Sequence, residues 1–302
     1  MSQDGRYSYA KLAKELNIKA STVSCRVNKM LEEDLISIQA VPNPFKIGYK
    51  LQVLITMNVE KRMIDSVCDR LIDNFNISSI AVMYGAVNVL VFAEYPSIDL
   101  LRKLVDEELP NIDGVNWIDT LFISKRKKSY EKFFSRESLV DDSVQIDKID
   151  ERLIYELRKN GRANLAHFAA EYQISTATVT RRLNALIKKN IIKITVVPNH
   201  TKLLGFSAVA YLMIRAEPRK VGVICEQLSC FPEMYNIMTM LNKSNIMAIL
   251  VLPDYKSLYE FINDKVSLID GVIEVNSLIR AELKKRTYVY INDAQIRSVI
   301  TD

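Results

Sequence analysis

The spacing of apolar residues switches between helical and strand periods in a fixed order that occurs twice along the chain. Over Tyr9 to Leu16, Leu12, Ala13 and Leu16 recur at helical spacing. A short turn, Asn17-Ile18-Lys19, separates them from Val23, Val27, Met30 and Leu31, one buried stripe of a second helix starting near Ala20. Ser37 to Val41 then alternates as a short strand that stops at Pro42. The same succession returns as Leu165 to Tyr172, a turn at Gln173-Ile174-Ser175, the stripe Val179, Leu183, Leu186 and Ile187, and a strand over Lys193 to Val197. Two short helices about a tight turn, followed by a β wing, predict a winged helix-turn-helix in 1–50 and again in 146–205.

After each head the pattern changes. Leu51 to Val59 reads as a strand, Ile64 to Phe75 as a helix, and Ile77 to Tyr84 with Asn88 to Glu94 as a strand pair. Leu100 to Glu108 reads as a helix and Val115 to Ser124 as a last strand. Matching segments follow at Ala208–Arg215, Val221–Cys230, Met234–Met240, Ile246–Leu252, Lys256–Lys265 and Ile273–Ala281. The order βαββαβ predicts ferredoxin-like domains over 51–128 and 206–291, with a charged linker at 129–145 and a tail at 292–302. The expected fold class is α+β, in two tandem units.

Sliding the sequence on itself supports a duplication. An offset of 156 brings Asp4-Gly5-Arg6 to Asn160-Gly161-Arg162, Arg26 to Arg182, and Val41-Pro42-Asn43 to Val197-Pro198-Asn199. An offset of 157 pairs Gly48 with Gly205, Ile112-Asp113-Gly114-Val115 with Ile269-Asp270-Gly271-Val272, and Lys127-Lys128 with Lys284-Lys285. The helix expected over Ile149 to Leu157 has no counterpart, because the sequence opens at Met1. Either the first head lacks a core helix or the start lies upstream, so the first head is expected to be the weaker.

Composition changes this picture at three points. The 302 residues are 49% hydrophobic and 25% charged, an ordinary globular balance, and the longest strongly apolar stretch, Ile246 to Leu252, is too short to span a bilayer. A cytoplasmic chain without a membrane segment is expected. Cys25, Cys68, Cys225 and Cys230 have no metal-ligand spacing and only His167 and His200 accompany them, so no metal and no cofactor is expected. Net charge is about +3 over 1–50 and +6 over 146–205, against −4 over 51–145 and zero over 206–302. Basic blocks thus coincide with the heads, which points to double-stranded DNA as their partner.

A helix in the major groove needs short polar and cationic residues facing outward. The second copy offers Ser175, Thr176, Thr178, Thr180, Arg181 and Asn184, with Arg182, Lys188 and Lys189 adding charge. Arg181 suits guanine and Asn184 suits adenine. The first copy offers Lys19, Ser21, Thr22, Ser24, Asn28 and Lys29, with Cys25 where the second has Arg181. The same residues also suit an ordinary solvated face; two copies in two basic blocks favour DNA reading.

The run Ile149-Asp150-Glu151-Arg152-Leu153-Ile154-Tyr155-Glu156-Leu157, the Asn160-Gly161-Arg162 that follows, the helix-turn-helix, the Val-Pro-Asn exit and the Asp-Gly-Val turn together resemble the Lrp/AsnC family of regulators. The resemblance implies a ligand-sensing ferredoxin-like (RAM-type) domain, self-association through the sheets of that domain, and often an amino acid as effector. The family's effector loop reads Gly-x-x-Asp. Here it reads Gly85-Ala86-Val87-Asn88 and Asn242-Lys243-Ser244-Asn245, so a neutral amide replaces the carboxylate that would bind an ammonium group. Thr120 and Ser277 stand where the family has a hydroxyl on the last strand. Gly85, Asn88, Thr120, Asn242, Asn245 and Ser277 are therefore the candidate effector residues. The tandem arrangement also resembles siroheme decarboxylases, which use histidine and arginine around a tetrapyrrole. Neither ferredoxin-like half contains a histidine, so a non-catalytic regulator is expected, with that enzyme or a co-regulator with degenerate heads as alternatives.

Overall fold

The computed structural model describes residues 5–43, 46–128, 146–203 and 205–285. The expected linker and tail lie outside them. The described chain divides into one unit of 5–48 with 146–203 and a second of 49–128 with 205–285. Each unit therefore contains both copies of one domain type.

In the first unit, helix α1 (Tyr9–Leu16) begins at Ser8, whose hydroxyl accepts from the Lys11 amide, and ends at Asn17 in the left-handed conformation, φ 51°. Helix α2 (Ala20–Glu32) and strand β1 (Ile36–Pro42) follow. The second copy supplies α5 (Lys148–Lys159), α6 (Leu165–Glu171), α7 (Thr176–Lys188), strand β6 (Ile192–Pro198) and a short α8 (His200–Leu203). Here α5 buries Leu153, Ile154 and Leu157, and α6 and α7 bury Phe168, Val179, Leu183 and Leu186. The first head buries Leu12, Ala13, Val23 and Val27 and leaves Met30 and Leu31 half-buried. The strand that follows each helix-turn-helix does not stand alone as a wing of its own head. β1 and β6 pair antiparallel, from Ile36 opposite Pro198 to Pro42 opposite Ile192, so each finds its partner in the other copy.

The second unit contains β2 (Leu51–Val59), α3 (Ile64–Ile72), β3 (Ile77–Met83), β4 (Val89–Tyr95), α4 (Ile98–Arg102) and β5 (Val115–Lys128). Its second half contains β7 (Ala208–Ala216), α9 (Val221–Cys230), β8 (Met234–Met240), β9 (Ile246–Leu252), α10 (Tyr255–Phe261) and β10 (Val272–Lys285). Both βαββαβ halves form as expected, and α4 and α10 each continue into a π-helical turn. The last strands run longer than their pattern predicts. The extra residues cross to the other copy: Lys125 opposite Thr239 and Arg126 opposite Met238, with Glu282 opposite Val82 and Lys285 opposite Ile80. The result is a closed eight-stranded barrel, β10-β3-β4-β2-β5-β8-β9-β7. Alternation along each strand sends one set of side chains outward under the helices (Val53, Ile55, Met57) and the other inward (Leu54, Phe92, Tyr211, Met238, Met247).

Landmarks of the repeat turn out to be joints between copies. Arg6 donates to Gly161 O and Ala163 O at 2.9 and 3.0 Å, and Arg162 returns the contact to Gly5 O and Tyr7 O at 3.0 and 2.7 Å. The two glycines sit so close to the opposite strand that a Cβ on Gly161 would lie 2.8 Å from Ile194 Cγ2 and 3.0 Å from Gln39 N. Asn43 N–H donates to Ile191 O and Asn199 N–H to Leu35 O, each at the end of the other copy's reader helix. Lys128 Nζ donates to Phe231 O (2.8 Å) just past α9, and Lys285 Nζ donates to Asn74 O (2.9 Å) just past α3. Cations at helix C-termini complement the exposed carbonyls and the macrodipole.

Candidate nucleic-acid interface and effector loops

The reader helices α2 and α7 bury Val23 and Val27, and Val179, Leu183 and Leu186, leaving their polar faces outward. In the second head Ser175 caps α7: its hydroxyl accepts from Thr178 N (3.1 Å) and lies 2.9 Å from Thr178 Oγ1, while Thr180 Oγ1 donates to Thr176 O. These hydroxyls fix the first turn. Thr176, Arg181, Asn184 and Lys188 hold no side-chain hydrogen bond or ion pair among the described residues, and all four are exposed.

Arg182 has a different position from the one its sequence spacing suggested. Its Nη1 meets Asp147 Oδ2 at 2.8 Å and Asp150 Oδ1 at 2.9 Å, where those two residues form the capping box of α5. A guanidinium held this way braces α5 against α7 rather than extending from the head. The pairing raises the Arg182 pKa, and the hydrogen bond to the Asp150 backbone, with Arg182 beside it, holds the Asp147 carboxyl below the usual carboxylate range. Between α5 and α7 lies a cavity of about 350 Å³, rimmed by Arg181, Arg182, Lys189 and Asp150 over a floor of Leu186 and Ile191.

The first head differs residue by residue. Lys19, at the cap position of α2, makes no capping bond. Arg26, the counterpart of Arg182, has no ion pair among the described residues, and Cys25 is an exposed free thiol. Lys29 lies 3.7 Å from Glu33, a solvent-exposed pair, and Asn28 accepts from the Tyr9 hydroxyl at 3.2 Å. Lys19, Ser21, Thr22 and Ser24, at the cap and on the first turns of α2, hold no side-chain hydrogen bond or ion pair among the described residues.

In the second unit the six effector candidates separate into two kinds. Asn88 and Asn245 are ties. Asn88 accepts from Val59 N (2.8 Å) and donates to Val59 O (2.6 Å), and Asn245 does the same with Ala216 N and O, at 2.9 and 2.8 Å. Each amide mimics a backbone group and closes the end of the strand beside it. A carboxylate has no donor for the carbonyl, which gives the Asn at both loops a structural cause that sequence reasoning missed. The other four line the seams between copies. Leu241 N donates to Phe122 O at 2.9 Å, which brings Asn242 and Thr120 to one end of the β5–β8 seam. Asn242 Oδ1 and Thr120 Oγ1 are each buried without a hydrogen-bond partner among the described residues. At the other seam Tyr84 N donates to Ile279 O, bringing Gly85 (φ +112°) near the exposed Ser277.

Comparison with known proteins adds the family. Models match at three places: a winged helix-turn-helix DNA-binding model at 1–37, an AsnC-type helix-turn-helix domain at 146–187, and an Lrp/AsnC ligand binding domain at 209–290. An uncharacterised HTH-type transcriptional regulator of Pyrococcus abyssi is 30% identical over 136 residues, 44% of this chain and 86% of that protein. The chain belongs to the Lrp/AsnC family. A second relative of this Lrp/AsnC chain, the HTH-type transcriptional regulator LrpA of Pyrococcus horikoshii, is 29% identical over 140 residues, 46% of the chain and 99% of the relative. Among solved structures, the siroheme decarboxylase NirDL superposes with a TM-score of 0.61 at 13% identity, covering 97% of this chain and 92% of that one. That likeness concerns the fold: an Lrp/AsnC architecture of two heads and two ferredoxin-like halves in one polypeptide. The sheet pairing that the resemblance implied between subunits is made here between the two copies of a single chain. Among the described residues no helix is long and apolar enough to cross a membrane, and no group of three or more His, Cys, Asp or Glu is arranged to hold a metal ion.

Proposed function

We propose that this chain is a sequence-specific, double-stranded DNA-binding transcriptional regulator, in which covalent duplication takes the place of a homodimer. The observation that carries the reading is the second head: a capped reader helix in a basic block, with Arg181, Asn184 and Lys188 uncommitted and α5 bracing it through Arg182. Arg181 suits the O6/N7 edge of guanine, Asn184 the N6/N7 edge of adenine, and Lys188 a phosphate. The first head, with Cys25 for Arg181 and no cap on α2, is the weaker contributor. An asymmetric operator follows from unequal heads.

The β5–β8 seam is the candidate effector site, because among the described residues Thr120 and Asn242 each leave a buried oxygen without a partner. Two neutral oxygens suit a small ligand bearing N–H or O–H donors. A regulatory ligand would have to prefer one DNA-binding state over another. Free thiols at all four cysteines suit a reducing, cytoplasmic setting.

Selection of bound duplexes from a random pool, followed by titration over a salt series, tests the reading. Recovery of a defined asymmetric motif and a linear fall of log affinity with log salt are expected. Arg181→Ala should weaken binding by on the order of tenfold and relax one base position; absence of any motif defeats the proposal. An enzymatic reading draws support from the NirDL fold, but His167 and His200 both lie outside 51–128 and 206–285. Failure of an iron-tetrapyrrole to change its absorbance spectrum on titration is the expected outcome.

A further inference from the structure

The two reader helices carry an asparagine at the same place, Asn28 in α2 and Asn184 in α7, yet the residues around them differ. The Tyr9 hydroxyl donates to Asn28 Oδ1 at 3.2 Å. The Tyr9 ring lies beneath the Arg162 guanidinium, 4.5 Å from ring centroid to Cζ. That guanidinium is itself held by Gly5 O and Tyr7 O, at 3.0 and 2.7 Å. A cation over a ring face is attractive and restricts the ring. Arg162 of the second copy therefore clamps Tyr9, and Tyr9 orients the amide of the first copy's reader. In the second head Leu165 stands where Tyr9 does, and Asn184 has no side-chain hydrogen bond among the described residues.

We infer that Tyr9 determines which base edge the first head reads, by holding Asn28 with its N–H donors outward. The inference rests on the DNA-reading function proposed above and specifies the contact at one position. Asparagine recognises adenine through a donor and an acceptor used together, accepting from N6 and donating to N7. With Oδ1 directed at Tyr9, Asn28 presents donors, which match the acceptors of guanine (O6, N7) or thymine (O4) and leave the adenine amino group unanswered. Asn184 keeps both faces and matches adenine. One residue type thus reads different bases in the two heads, a source of operator asymmetry separate from Cys25 and Arg181.

The test selects bound duplexes with the full chain as wild type, Asn28→Ala, Tyr9→Phe and Arg162→Lys. The position that loses its preference in Asn28→Ala is the one Asn28 faces. There the wild type is expected to favour guanine or thymine, and Tyr9→Phe to raise adenine recovery by on the order of tenfold, the scale of one base-edge contact. Arg162→Lys, which keeps the charge and loses the flat stacking group, should shift the preference the same way by less. Positions read by the second head should not move. Wild-type preference for adenine, or an unchanged preference in Tyr9→Phe with binding retained, overturns the inference alone. Lower overall affinity with no change of base preference marks a purely structural tyrosine and also overturns it. A wild-type chain that selects no sequence overturns the DNA-reading function together with this inference.

Discussion

At Asn88 and Asn245 the whole amide is engaged by one residue of the neighbouring strand, with donor and acceptor both satisfied. Exchanging the NH2 for an oxygen sets a carboxylate against a carbonyl, so Asn88→Asp and Asn245→Asp should each lower unfolding free energy by about 1–3 kcal/mol in urea titrations. Restoring the family's acidic residue is thus expected to cost stability. The cysteines provide a second residue-scale check. Burial is the main cause that pushes Cys68 and Cys225 up to about 11, while Cys25 and Cys230 are exposed. At pH 8 in the native chain, an alkylating reagent should modify Cys25 and Cys230 quickly and the other two only after denaturant is added. Rapid labelling of all four would contradict the packing of α3 and α9 on the barrel.

Among elements, the paired strands β1 and β6 depend on close approach. Gly161→Ala would place a methyl against Ile194 and the backbone of Gln39, groups that cannot swing away, and a loss of about 1–3 kcal/mol is expected, read as a lower melting temperature. Helix α5 depends on its first turn. Asp147 is ionised more readily in the folded head than in the unfolded chain, so it contributes stability above the usual aspartate range. That contribution disappears as pH falls through the folded value. Helicity of the wild type should therefore decline on acidification below about pH 4, more steeply than that of Asp147→Asn, when the two are compared by circular dichroism. The elements were legible from periodicity because each buries one stripe. Their ends were less so: Ser124 was expected to close β5, since Lys125-Arg126-Lys127-Lys128 looks like a solvated run. In the fold those residues are the crossing segment, with Arg126 inside and Lys128 on the end of α9.

The molecule as a whole has an asymmetric barrel interior. Arg126 donates to Glu94 Oε1 (3.2 Å) and Gln52 Oε1 (3.0 Å), and the Arg126 and Glu94 side chains are only 5% and 9% exposed. The second copy has Val209, Val251 and Leu283 at the equivalent places. Removing one partner strands a buried charge, so Arg126→Leu should destabilise the barrel by about 3–5 kcal/mol. Converting Gln52, Glu94 and Arg126 together to Val, Val and Leu should recover most of that loss in chemical unfolding. Equal damage from the single and the triple change would show that the network does more than satisfy itself.

The sequence by itself determined the duplication, the two heads, the βαββαβ order and the chemical content of the reader helices, because these depend on local periodicity and on residue types a few positions apart. It did not determine what the repeated motifs are for. Gly-Arg, Val-Pro-Asn and Lys-Lys read as landmarks along the chain, and their partners lie on the order of 100 to 210 residues away in the other copy. Nor could it decide between Arg182 and Arg181, adjacent arginines on one helix, of which one braces α5 and the other faces outward. Hydrogen bonding of a side chain is settled by what packs against it. For these residues that is the opposite copy or a neighbouring helix, which only the tertiary structure supplies.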